Sequence, residues 1–97
     1  MTIGACRVRL RLPENQSLKG KRQVLKSIIA RVQAKFNVSI AEVDDNDLWQ
    51  VATLGITCVS NDTRHANQVL SNVVSFIEDS HPDAEFLDYE TEIIHAL

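Results

Sequence analysis

At residues 17–29 the chain reads SLKGKRQVLKSII, a basic and amphipathic segment that opens with a serine suited to capping a helix. The hydroxyl of Ser17 can accept a hydrogen bond from an otherwise unpaired first-turn N–H. Apolar residues then recur on one face at helical spacing: Leu18, Leu25, Ile28, Ile29, Val32 and Phe36. The segment therefore predicts an amphipathic helix that packs one face against a sheet.

A strand precedes this helix and a hairpin follows it. Residues 2–12 alternate between apolar and polar side chains, which is the pattern of a strand with one buried face. Residues 38–43 and 48–60 predict two further strands, joined by the polar turn at residues 44–47. Together these segments predict three strands and one helix in the first two thirds of the chain.

The rest of the chain supplies one more helix and one more strand. Residues 60–62 offer capping side chains for the helix, and residues 85–95 alternate again, with Leu87 and Tyr89 predicted to face inward. The element order predicts an α+β fold of the ferredoxin-like, split βαβ type (βαββαβ), a four-stranded antiparallel sheet with two helices on one face. The first and third strands are expected in its centre, with the fourth beside the first.

Length and composition indicate a single domain over residues 1–97. Hydrophobic residues make up 44% of the chain and charged residues 24%, as in ordinary globular domains. No segment approaches the run of about eighteen apolar residues that a membrane span requires, so we expect a cytoplasmic protein with no membrane partner. Cys6 and Cys58 fall inside apolar strands, which favours buried thiols over a redox or metal site.

Charge is divided unequally along the chain. Residues 1–35 hold nine Lys or Arg and one acid, a net charge of +8, whereas residues 36–97 hold one Arg and twelve acids, a net charge of −11. The basic residues cluster on the first helix, whose N-terminal N–H groups and dipole also favour an anion. This pattern predicts an RNA-binding face, although a solvated helix surface would have the same composition. The candidate contact residues are Lys19, Lys21, Arg22, Lys26, Arg31 and Lys35.

The open face of the predicted sheet is a second candidate surface. The outward residues of the first strand include Arg7, Arg9 and Arg11. Acids alternate outward on the neighbouring fourth strand, so we expect ion pairs between the two strands. Val51 and Val59 face outward on the third strand and suggest a symmetric homodimer through this face. No aromatic residue faces outward on the two central strands, which argues against base stacking on the sheet.

No group of residues with a pattern typical of catalysis or metal binding is found. The acidic turn at residues 44–47 lacks the glycine and the distant glutamate of a Ca²⁺ loop, and we interpret it as a solvated turn. Trp49, which follows it, is interpreted as a core anchor. His65, His81 and His95 stand at no metal-ligand spacing, and no nucleophile has a base beside it. The sequence therefore predicts no catalytic residue, no metal and no cofactor.

Several short motifs give the chain a resemblance to a known family. They are SLK at residues 17–19, KR at 21–22, VLKS at 24–27, FNVS at 36–39, AEVD at 41–44, DLWQ at 47–50, LG at 54–55 and VSND at 59–62. In combination they resemble the YlxP-like family of small bacterial proteins of unknown function. The resemblance implies a ferredoxin-like fold, no established enzymatic activity, and genes that often stand beside those for translation initiation and ribosome assembly factors. Gly20 and Val51 depart from the family pattern, which usually has a charged residue at the first position and often a basic one at the second.

Two functions remain open at this point. The first is a non-enzymatic accessory protein that docks on ribosomal RNA or on a ribosome-associated protein through the basic helix face. The second is a dimeric small-molecule-binding or regulatory module that uses the open sheet face, by analogy with other domains of this fold. An enzyme is not expected, because a nucleophile, a base and an oxyanion site cannot be assembled from these residues.

Overall fold

The computed structural model describes all residues from 1 to 97. In chain order its elements are β1 (Thr2–Arg11), α1 (Leu18–Lys35), β2 (Ser39–Asp44), β3 (Val51–Ser60), α2 (Thr63–Glu78) and β4 (Glu85–His95). The strands form one antiparallel sheet in the order β2-β3-β1-β4, and the helices cover one of its faces. The α+β ferredoxin-like fold is therefore confirmed, with the first and third strands in the centre.

The core fills the space between the helices and one face of the sheet. β1 and β3 pair along their whole length, from Thr2 opposite Ser60 to Arg11 opposite Val51, so their inward side chains form adjacent rows. These buried apolar residues are Cys6, Val8, Leu10, Ala52, Leu54, Ile56 and Cys58. The helices cover them with Leu25, Ile28 and Val32 of α1 and with Ala66, Leu70, Val73, Val74 and Ile77 of α2.

Both helices begin at capping side chains that the sequence identifies. The hydroxyl of Ser17 accepts a hydrogen bond from the backbone N–H of Gly20 at 3.0 Å. A carboxylate oxygen of Asp62 accepts one from the N–H of Arg64, also at 3.0 Å. Each cap satisfies one of the orphan donors of a first turn and fixes where the helix starts.

A bulge in β4 changes which of its residues face the core. Arg9 lies opposite Asp88, but the next residue, Leu10, lies opposite Phe86, so Leu87 is an extra residue on the edge strand. The prediction that Leu87 faces inward is wrong, since its side chain is 41% exposed and Phe86 packs against the core instead. The alternation of apolar and polar residues in the sequence does not reveal a single inserted residue.

The β2–β3 hairpin also departs from its prediction. β3 begins at Val51 rather than at residue 48, so Leu48 and Trp49 belong to the turn. β2 has a register shift between Glu42 and Asp44, which leaves Val43 as the extra residue. Val43 covers the open face at Gly55, where an added Cβ would lie only 2.7 Å from Val43 Cγ1. Any larger residue at Gly55 would therefore have to displace the Val43 side chain.

Lys21 is buried, and the prediction that it contacts RNA is wrong. Its side chain is 1% exposed, and its Nζ lies 2.8 Å from Oε2 of Glu42, which faces the core from β2. The ammonium also donates to the carbonyl oxygens of Asp45 at 2.8 Å and Val51 at 3.2 Å, at the two ends of the β2–β3 turn. Because a buried charge without partners is costly, this network fixes the first turn of α1 to the hairpin.

The two cysteines are buried free thiols, as predicted. Burial raises the pKa of the Cys6 thiol to about 11, and the nearby negative charge of Glu90 adds to the shift. Cys6 is therefore protonated at neutral pH and acts as a small apolar core residue. Neither helix of the fold is long and apolar enough to cross a membrane.

Replacing Lys21 by methionine is expected to destabilise the protein by about 3–5 kcal/mol, because Glu42 would keep a buried charge without its partner. Glu42→Gln should cost less, about 1–2 kcal/mol, since the Lys21 ammonium retains its carbonyl acceptors. Urea unfolding of the two variants measures both values. Lys26→Met, at an exposed position of the same helix, is the control and should change stability by less than about 0.5 kcal/mol. Equal effects at Lys21 and Lys26 would contradict the structural role of the Lys21 network.

Candidate nucleic-acid interface

Two basic residues of β1 are neutralised by β4 on the open face of the sheet. Arg7 forms an ion pair with Glu90, and Nη1 of Arg9 lies 3.5 Å from a carboxylate oxygen of Asp88. The hydrogen bond that Arg7 donates to Glu90, together with the charge of that carboxylate, raises the pKa of Arg7 above its usual value. The expected pairing between the two strands is thus present for these two residues, and Arg11 is the member of the row that forms no ion pair.

Arg31 and Lys35 face α2 and do not extend the basic surface at the helix start. Arg31 donates a hydrogen bond to the carbonyl oxygen of Ser80, just beyond the end of α2. Nζ of Lys35 lies 4.9 Å from the ring centroid of Phe76 and 5.7 Å from that of Phe36, and the two rings pack edge to face. These two cations therefore tie the C-terminal half of α1 to α2.

Three basic residues of α1 are exposed and form neither an ion pair nor a contact with α2 of the kind that holds Arg31 and Lys35: Lys19, Arg22 and Lys26. We call them the basic stripe. Their i, i+3 and i+7 spacing places them on one side of the helix over about 10 Å. Of the six predicted contact residues, the structure leaves these three free to meet a partner.

The electrostatics of the helix start favour an anion over a cation. α1 has no acidic residue in its first turn, so Lys19 and Arg22 lie near the positive end of the helix dipole without compensation. The outward acids of β4 lie on the opposite side of the sheet, where they meet the arginines of β1. The helical side of the molecule thus has a basic surface without compensating acids. On the open side, basic and acidic residues are paired.

The start of α1 is joined to the β2–β3 turn by polar side chains as well as by Lys21. The Nδ2 group of Asn15 donates both to the carbonyl oxygen of Ser17 and to that of Trp49. Nε2 of Gln50 donates to the carbonyl oxygens of Pro13 and Asn15, each at 3.1 Å. We call this assembly the loop corner; it comprises residues 12–17, the first turn of α1 and residues 45–50.

Gly20 makes room for Asn15 in the loop corner. A Cβ at this position would collide with Oδ1 of Asn15, whose amide group donates to the carbonyl oxygens of Ser17 and Trp49. The departure from the family pattern at Gly20 therefore has a structural reason, because a larger residue would displace the side chain that links the loop to the turn. From the sequence alone, this glycine indicates only a lower helix propensity in the first turn.

Trp49 is exposed, and its interpretation as a core anchor is wrong. Its side chain is 54% exposed, and the neighbouring Leu48 is similarly open. The backbone carbonyl of Trp49, rather than its indole, takes part in the fold. The loop corner therefore presents an aromatic and an aliphatic side chain to solvent beside the start of α1.

Two carboxylates of the acidic turn accept hydrogen bonds from neighbouring residues. Asp45 adopts a left-handed backbone conformation, with φ at 58°, and its carboxylate accepts a hydrogen bond from Thr53 at 2.7 Å. A carboxylate oxygen of Asp44 accepts one from the N–H of Asp45 at 2.8 Å. These contacts agree with a structured turn, and no group of three or more potential metal-ligating side chains is present in the protein.

The open sheet face has an apolar end and an ionic end. Ile3 of β1 lies opposite Val59 of β3 and Ile94 of β4, so three apolar side chains form a row across the sheet. Val59 is 71% exposed, whereas Val51, at the ionic end beside Arg11, is partly covered. Of the two valines predicted at a dimer interface, Val59 is the one that belongs to an exposed apolar row.

Comparison with known proteins connects this chain to a family without an assigned activity. Residues 3–91 match the family described as "Protein of unknown function (DUF503)". The chain is also 47% identical over 76 residues to "Uncharacterized protein YlxP" of Bacillus subtilis (strain 168). That alignment covers 78% of this chain and 82% of the Bacillus protein. The resemblance carried by the sequence motifs is confirmed.

Replacing Gly20 by alanine should have opposite effects on stability in the wild-type protein and in an Asn15→Ala variant. With Asn15 present, the new methyl group displaces the Asn15 amide, and this loss outweighs the higher helix propensity of alanine. With Asn15 already changed to alanine, Gly20→Ala should stabilise the protein by up to about 1 kcal/mol. A double-mutant cycle from urea unfolding measures the coupling, which we expect to reach about 1 kcal/mol. Identical effects in both backgrounds would show that the two residues do not interact.

Proposed function

The chain belongs to the DUF503 family of proteins of unknown function, and we propose that it is a non-enzymatic accessory protein that docks on ribosomal RNA through its basic stripe. The observation that carries this proposal is the presence of three exposed cations on one side of a helix start, none of them paired with an acid. Phosphate groups are the partners that such a surface attracts.

The positions of the other charges support the same proposal. The remaining cations of α1 are either buried with Glu42 or packed against α2, so the basic stripe supplies the free cations at the helix start. On the open sheet face two arginines of β1 are already paired with acids of β4, so that face attracts nucleic acid less. Binding would therefore be restricted to one orientation, which suits a protein that docks at a defined place.

The link to the ribosome comes from the family resemblance and not from the charge pattern. The resemblance implies genes that stand beside those for translation initiation and ribosome assembly factors, and a basic surface on a small domain agrees with contact to ribosomal RNA. A ribosome-associated protein with an acidic surface is the other partner that this stripe would fit.

The double variant Lys19→Glu, Arg22→Glu should lose co-sedimentation with ribosomal particles at low salt. Wild-type binding should weaken steadily as salt is added, because counterions compete for each phosphate contact. For purified RNA, the loss of two contacts should reduce the slope of log affinity against log salt by about 1.4 if the bound RNA is single-stranded.

The matched control is Arg11→Glu, Arg64→Glu, which changes the net charge by the same amount at two exposed cations outside the basic stripe. It should co-sediment almost as well as the wild type. If the stripe variant binds ribosomal particles as tightly as the wild type, or if both double variants lose binding equally, docking through the stripe is contradicted.

A second candidate function is favoured by the apolar row on the open sheet face. Ile3, Val59 and Ile94 could pack against the same row of a second copy, which would make the protein a dimeric regulatory module. A shallow cavity of about 310 Å³ on the same face, lined in part by Arg7, Gly55 and Glu90, would then lie beside the interface and could take a small polar ligand.

Val59→Glu should convert such a dimer to a monomer, because it places a charge at the most exposed residue of the apolar row. Light scattering over a range of protein concentrations measures the change. The control is Leu48→Glu, at an exposed apolar residue of the loop corner, which should leave the mass unchanged. A wild-type protein that is monomeric at high concentration would exclude this candidate.

A further inference from the structure

We propose that Trp49 is a stacking platform for an unpaired RNA base, and that the backbone of the same strand runs along the basic stripe. This inference rests on the proposed function and names its ligand class as a single-stranded or looped-out segment of RNA. The structural basis is the placement of an exposed indole, on a fixed turn, beside a helix start that carries unpaired cations.

The first observation is that the side chain of Trp49 is largely exposed. Its side chain is 54% exposed, while its backbone carbonyl accepts a hydrogen bond from Asn15. Burial of an aromatic side chain is normally a large gain in stability, so an indole left open on a rigid turn is uncommon. The backbone of the turn is thus anchored at Trp49, and the side chain stays largely open to solvent.

The second observation is that the turn is rigidly joined to the start of α1. The carbonyl oxygens of Ser17 and Trp49 accept hydrogen bonds from the same Asn15 amide group, and Ser17 is the cap of the helix that carries the basic stripe. Lys21 adds two further contacts to the ends of the turn. One nucleotide strand can therefore meet the indole and the first cation of the stripe together.

The charges of the loop corner separate the site for a base from the site for phosphates. An open depression of about 500 Å³ is lined by Asp47, Leu48, Trp49, Gln50 and Val51, so its lining combines one carboxylate and two aliphatic side chains with the indole. A phosphate is disfavoured there, whereas a neutral base can lie on the ring. The phosphates are instead attracted to Lys19 and Arg22.

This arrangement favours unpaired RNA over a duplex. A base can stack on an aromatic side chain only if it is not already stacked between its neighbours in a helix. Such stacking tolerates any sequence, because every base has a flat face. A duplex would contact the basic stripe with its phosphates but would leave the indole uncovered. A protein partner that covers Leu48 and Trp49 is the competing occupant, and variants at Trp49 distinguish it from RNA.

Trp49 is the only tryptophan of the chain, so its fluorescence reports directly on the proposed site. We would titrate the wild-type protein with a short oligouridine and with an RNA duplex of equal length, and follow binding in parallel by the anisotropy of the labelled RNA. The oligouridine should quench the fluorescence to saturation, and the quenching curve should match the anisotropy curve. The duplex should bind with little quenching.

Variants at Trp49 complete the experiment. Trp49→Ala should weaken oligouridine binding about fivefold to a hundredfold, and Trp49→Phe should restore most of it, because phenylalanine can still stack. Tyr89→Ala, which removes an exposed aromatic on the edge strand β4, is the matched control and should leave the affinity unchanged. The exposed position of Trp49 means that its variants should retain the fold.

The failures of the two proposals can be told apart. If oligouridine binds and the Lys19→Glu, Arg22→Glu variant weakens it, but Trp49 is not quenched and Trp49→Ala binds normally, the stacking site is overturned while docking through the stripe stands. If no RNA binds the wild type, both fall. If Trp49→Ala keeps its RNA affinity but loses co-sedimentation with ribosomal particles, the indole contacts a protein and the stacking site is again overturned.

Discussion

The ammonium group of Lys21 joins three parts of the chain that are far apart in sequence. It lies against the carboxylate of Glu42 in β2 and against backbone carbonyls at both ends of the following turn, while its own backbone belongs to the first turn of α1. A buried charge is costly without partners, and here a carboxylate and two backbone carbonyls share that role. The network therefore sets the position of the helix start against the hairpin, and the loop corner depends on it.

Contacts within the protein determine which cations are free to act. A chain whose first 35 residues carry a net charge of +8 could have been basic over much of its surface, but most of those charged residues have partners within the protein. Arg7 and Arg9 meet acids of β4, Arg31 and Lys35 meet α2, and Lys21 meets Glu42. The basic stripe is the small remainder on the helical side, and the loop corner places Trp49 next to it.

The sequence predicts the fold well because the signals for it are local. Alternation, helical spacing and the caps at Ser17 and Asp62 each act within a few residues, and together they specify one order of elements. The bulges at Val43 and Leu87 cannot be predicted in this way, because one inserted residue cannot be recognised from the alternation of apolar and polar side chains. The environments of Lys21 and Trp49 cannot be predicted in this way either, because Glu42 and Asn15 contact them across the fold and not along the chain.

The most direct test of docking through the basic stripe and the loop corner is to map the RNA contact by NMR on the intact protein. Chemical shifts of backbone amides would be followed as a short single-stranded RNA is added at low salt. We predict that the changes concentrate at residues 18–26 and 47–50, with the indole N–H of Trp49 among the largest. Changes confined to the open sheet face, around Ile3, Val59 and Ile94, would contradict this docking mode and favour the dimeric regulatory module.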